Sequence, residues 1–128
     1  DHARRKADGD VTRTLERLWT ELGPRNDAAV ITGATGTADA TVQERAFLKT
    51  HGGAPVRATG TAFGHLMEAQ FPLGLALAAL SLSKGTLFPP HDSSGMEIET
   101  TATPTQSVVI GAGHWRGEGM ALVEKASA

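Results

Sequence analysis

The chain has 128 residues, no cysteine and a formal charge of -2, with a pI of about 6.2. That length suits one domain able to bury a core. Without thiols there is no disulfide framework, thiolate metal site or cysteine nucleophile within these residues, and the near-neutral balance gives no electrostatic footprint for nucleic acid or an anionic membrane.

The chain begins at Asp1 with neither a methionine nor a signal peptide, so it is read as a piece of a longer cytoplasmic protein, with residues 1–9, including the basic run His2 to Lys6, as a flexible leader. Asp10 caps a helix in which Val11, Leu15, Leu18, Trp19 and Leu22 share one stripe, and Gly23-Pro24 ends it. Asp27 to Gly33 follows as a strand, uncharged after Asp27 and so suited to cover on both faces. After a turn of small residues from Ala34 to Ala40, Thr41 and Glu44 form a capping-box pattern for a helix from Val42 to Thr50, closed by Gly52-Gly53. Val56 to Thr59 is a second short strand.

Gly64 to Pro90 is the stretch around which the rest is organised. Between His65 and Lys84 the only charge is Glu68, so the sequence predicts a helix buried on most of its surface, headed by His65 and interrupted at Pro72 and Gly74. Its apolar core from Phe71 to Leu82 is shorter than the ~20 residues of a bilayer span, so no membrane role is expected. Residues 91–105 are polar and threonine-rich and predict irregular chain; Ser107 to Ala112 and Met120 to Glu124 predict a closing hairpin across the loop Gly113 to Gly119. Helices alternating with uncharged strands predict an α/β domain.

The residues leave two readings of His65 open. At a buried helix start the dipole favours a neutral ring, able to polarise a carbonyl; the commoner role is a histidine satisfied by nearby backbone. Ile31 to Gly36 has the look of a dinucleotide-binding turn, but the third glycine is replaced near Asp39, whose carboxylate repels a pyrophosphate. A plain nucleotide-binding module is therefore a minor alternative. No lysine follows the glycines, which excludes a Walker-type loop, and the histidines lack the spacing of a metal site.

From Ala28 to Lys125 the chain resembles the C-terminal part of the β-ketoacyl-acyl-carrier-protein synthases, condensing enzymes of the thiolase fold. The resemblance rests on motifs in order: Gly33-Ala34-Thr35-Gly36-Thr37 for the family's HGTGT, Glu44 for the acidic residue of the next helix, Gly64-His65-Leu66 for GHL, Pro89-Pro90 for PP, and Gly113 to Gly119 for the glycine-rich GFGGTN loop. It implies decarboxylative Claisen condensation in fatty-acid or related acyl-chain synthesis, with a nucleophilic cysteine on the N-terminal half and two histidines that stabilise the enolate. His65 corresponds to the second histidine. Thr35 and Thr37 fall on threonines that hydrogen-bond the pantetheine arm, and Trp115 stands near the residue gating the acyl pocket. No cofactor is implied beyond the phosphopantetheine arm of acyl carrier protein, the expected partner, alongside a second synthase subunit in a homodimer or heterodimer.

The departures from the family are specific. Its first histidine falls on Gly33, the lysine usually preceding the second on Gly60, and the aspartate before Glu44 on Thr41; His114-Trp115-Arg116 replaces small residues of the last loop. Losing a donor aimed at developing charge typically costs ~3 kcal/mol of barrier. A non-catalytic partner resembling the chain-length factors, which shape an acyl tunnel beside an active synthase, is thus the alternative function. The fold expected over residues 1–128 is the C-terminal half of a thiolase-like fold, with a mixed sheet, a buried central helix and the central strand missing, so that the four strands would pair in two separate sets.

Overall fold

The computed structural model describes residues 10–34, 38–101, 103–112 and 117–126. Helix α1 (Asp10–Leu22) leads into strand β1 (Ala29–Thr32), α2 (Ala38–Thr50), β2 (Val56–Ala58), the single-turn α3 (Gly60–Phe63), a 3-10 turn at Met67–Ala69, α4 (Gln70–Lys84), β3 (Gln106–Gly111) and β4 (Gly119–Glu124). Within the described part of residues 91–105 the chain is irregular, as expected, apart from an isolated bridge between Ile98 and Val56.

The strands form one mixed sheet in the order β2-β1-β3-β4. β1 is parallel to β2 and β3, while β3 and β4 form the expected antiparallel hairpin, with Val109 opposite Ala121. The expected gap at the centre does not exist. β1 pairs directly with β3, Val30 opposite Val108 and Ile31 opposite Val109, so their backbone groups satisfy one another and the two separate sets become one.

Alternation along the strands divides the core between two faces. Val30, Val56, Ala58, Val108 and Ile110 meet Val11 and Leu15 of α1 and Phe47 and Leu48 of α2. Ile31 and Val109 face the other way, onto Ala78 of α4. The result is three layers, helix on sheet on helix. α1 and α2, side by side on one face, are tied by the imidazole of His51, 3.0 Å from Glu16 Oε2, and by a cluster in which the rings of His51, Trp19 and Phe47 touch one another.

The central helix differs from its sequence expectation in two ways. It starts at Gln70 rather than at His65, because α3 ends at Gly64 (φ +69) and Met67 adopts φ +52, both incompatible with a continuous helix. Nor is it buried all round: Gln70, Gly74, Ala78, Ser81 and Leu82 form the buried stripe, whereas Leu80 is 52% exposed. Pro72 and Gly74 do not interrupt it. Pro72 sits in the first turn, where its missing N–H has no intrahelical partner to lose. Gly74 lets the helix approach the sheet so closely that a Cβ there would lie 2.7 Å from Val109 Cγ1. The stop at Gly85 follows the sequence: its φ is +70, and the N–H of Thr86 reaches back to Ser81 O at 3.1 Å.

Candidate functional site

Because β1, β2 and β3 run parallel, the connections after Thr32, Ala58 and Gly111 leave the sheet at one edge. Open α/β sheets place ligands at that carboxyl edge. The segments that follow β1 and β2, at Gly33 and at Gly60 to Leu66, therefore leave the sheet on the same side.

Of the predicted site residues, only His65 lies among the described residues; Thr35, Thr37 and Trp115 lie outside them. His65 is exposed, in the short connection between α3 and the 3-10 turn. The expectation of a buried histidine at the head of α4 is therefore corrected: the fold ends one helical turn before it and starts α4 five residues after it.

The residue that holds this edge together is Gln70. Its side chain is buried at the start of α4, where Nε2 donates to Thr59 Oγ1 at 2.7 Å and Oε1 accepts the Leu66 N–H at 3.2 Å. Thr59 in turn gives both its N–H and its hydroxyl to Thr32 O, at 2.9 and 3.2 Å. One amide thus joins the end of β1, the end of β2 and the GHL connection. In sequence Gln70 was only a polar residue at the head of an apolar run; its polarity there was the available signal.

Gly33 and Gly60 are fixed by packing. A Cβ on Gly33 would meet Gln70 Cγ at 2.9 Å, so the glutamine occupies the space where a side chain at position 33 would project. A Cβ on Gly60 would fall 2.1 Å from Ala34 O and 2.8 Å from Gly33 O. Backbone at this distance leaves no room for any side chain at position 60.

Beneath the same turn lies Glu44. The capping box expected of it does not form, because α2 begins at Ala38 and places Glu44 mid-helix, 1% exposed, while the Thr41 hydroxyl has no hydrogen-bond partner among the described residues. Glu44 Oε1 instead accepts the hydroxyl of Thr32, whose oxygen accepts the Ala34 N–H at 3.3 Å. Burial pushes the Glu44 carboxyl up to about 7, opposed by the Thr32 hydrogen bond. No cation sits beside it among the described residues.

The fold and edge define a three-layer α/β domain with a mixed sheet and a small-residue turn closed over a glutamine. Compared with family models, curated proteins and solved structures, the chain matches none. Among the described residues no helix is long and apolar enough to cross a membrane, and no group of three potential ligands could hold a metal ion.

Proposed function

We propose that this chain is the C-terminal part of a β-ketoacyl synthase-like protein of the thiolase fold, serving carrier-bound acyl chains in cytoplasmic fatty-acid or related acyl-chain synthesis. The observation that carries the reading is the gathering of the Gly33 turn, the Thr59 connection and the GHL stretch on one sheet edge through Gln70. Thr35 and Thr37 would receive the pantetheine arm of acyl carrier protein, and Trp115 would border the acyl chain. In a competent member the reaction is decarboxylative Claisen condensation, with His65 as one electrophilic stabiliser.

A specific observation favours the non-catalytic form of this role. Position 33 has no donor, its space is filled by Gln70, position 60 admits no lysine, and His65 stands exposed. These four features together remove the donors that a decarboxylating site needs. The chain is then a partner that shapes an acyl tunnel beside an active synthase subunit. Phe63, Leu66, Met67 and Leu80 are exposed apolar side chains, which suits cover by a second subunit.

Co-expression with a cysteine-bearing synthase and acyl carrier protein tests the proposal. It predicts a stable complex whose product chain length shifts when Leu66 or Phe63 is enlarged to Trp. An unchanged product distribution together with no complex would overturn it.

A further inference from the structure

β2 also carries a charge that the proposed function does not use. Arg57 is 3% exposed. Its Nε donates to Phe88 O at 2.6 Å, and Nη1 donates to Val56 O and Ile98 O, each at 2.8 Å. These bonds hold the chain after α4 against the edge of β2, assisted by Glu97, which accepts the N–H groups of Ala58, His91 and Asp92. Carbonyl dipoles satisfy donors but do not neutralise a guanidinium, which stays charged at any ordinary pH. No carboxylate pairs with Arg57 among the described residues. A buried charge without a counter-charge is costly.

Two of the five N–H donors remain, both on Nη2. Among the described residues that nitrogen makes no hydrogen bond and is not one of the fully buried unpartnered atoms. Arg57 lines a cleft of about 600 Å³ together with Leu87, Pro89, Pro90, Glu99, Thr100 and Thr101. The volume falls within the range of small-molecule sites, ~300–1,000 Å³. Prolines make a stiff wall that needs little ordering on binding.

We propose that this cleft binds a small monocarboxylate with an apolar body, its carboxylate accepting from Nη2 of Arg57 and its body lying on Leu87, Pro89 and Pro90. A single carboxylate suits the site better than phosphate. Glu99 already offsets Arg57 in the cleft wall, so the site has little net positive charge and favours the least charged anion that can still accept from Nη2. The same residue competes with the ligand, which makes it a direct test of the site's electrostatics.

Butyrate is the probe, followed by backbone amide shifts in a ¹⁵N spectrum of the chain. Saturable shifts are expected at Arg57, Leu87, Phe88, Glu99 and Thr101. The neutral isostere butyramide should produce none, and inorganic phosphate weaker ones. Glu99→Gln should tighten butyrate about fivefold by removing the competing carboxylate. Arg57→Lys, which keeps the charge and loses the fork, should weaken it; Arg57→Met should abolish it. Because Arg57→Met also releases three carbonyls and can unfold the chain, Glu99→Gln carries the decision. Equal shifts from butyrate and butyramide, or unchanged affinity in Glu99→Gln, would overturn the proposal.

Discussion

Gln70 stands in the space in front of Gly33: a Cβ at position 33 would lie 2.9 Å from its Cγ, while its amide is already bound to Thr59 and Leu66. This relationship makes the absence of a side chain at position 33 a feature of the packing. A histidine introduced at 33 would displace the residue that organises the edge. Gly33→His alone is therefore expected to destabilise the chain and to restore no malonyl decarboxylation. The isotopic CO₂ assay on the synthase complex checks this, and substantial CO₂ release by the single variant would contradict it.

The contact also predicts coupling. Gln70→Ala should cost ~1–3 kcal/mol by leaving the buried Thr59 and Leu66 groups with fewer partners. Gly33→Ala should cost ~1–2 kcal/mol in the wild-type background and distinctly less beside Gln70→Ala, because the obstructing side chain is gone. A double-mutant cycle by urea denaturation reads the difference. Strict additivity would mean the two residues do not share this space.

Gly60 has no such flexible neighbour. A Cβ there meets backbone oxygen at 2.1 Å, so Gly60→Ala should cost ~3 kcal/mol or more and should not be rescued by any change at Gln70. Thermal denaturation of the two variants side by side makes the test. A Gly60→Ala chain as stable as wild type would show that the turn after β1 moves freely.

Glu44 predicts a pH dependence with a definite sign. Its folded pKa is raised from 4.5 to about 7, chiefly by burial. Between those values the folded state keeps a proton that the unfolded state has released. Stability is therefore highest below the unfolded pKa, falls as pH rises through this window and levels off above the folded pKa, a total change of ~3 kcal/mol. Glu44→Gln keeps a partner for the Thr32 hydroxyl and removes the titration. Urea midpoints from about pH 5 to about pH 8 should fall for wild type and stay flatter for the variant. Parallel profiles would contradict the assignment.

The continuous sheet makes a prediction opposite to that of a missing centre. β3 is paired on both sides, with β1 and with β4, so its amides at Val108 and Val109 should exchange slowest, and those of the edge strands β2 and β4 faster. Hydrogen exchange that protects β1-β2 and β3-β4 as independent units would refute the direct β1-β3 pairing.

What was legible in the sequence was local. Uncharged Ala29 to Thr32 and the run of β-branched residues from Val108 to Ile110 declared strands, and Lys84-Gly85 declared the end of α4. What was illegible depended on residues distant in the chain. Thr41 and Glu44 have the spacing of a capping box, yet Glu44 is claimed by Thr32 from another element. The head of the central helix could not be placed at Gln70 without knowing that Gly64 and Met67 take positive φ. Strand order is likewise a tertiary choice: nothing within β1 says that its second neighbour is β3 rather than a strand from elsewhere. At the candidate site the motifs gave the edge but not its geometry, so His65 was expected to be buried where Gln70 is.

The most direct measurement is a titration of the ¹⁵N-labelled chain with octanoyl-pantetheine, the minimal form of a carrier-bound acyl group. The account predicts saturable shifts concentrated at Ala34, Thr59, Gly60, Leu66 and Gln70, with the thioester left intact and malonyl-pantetheine undergoing no decarboxylation above blank. Shifts scattered over the surface, or absent from these five amides at saturating ligand, would contradict the claim that this sheet edge receives a pantetheine-borne acyl chain.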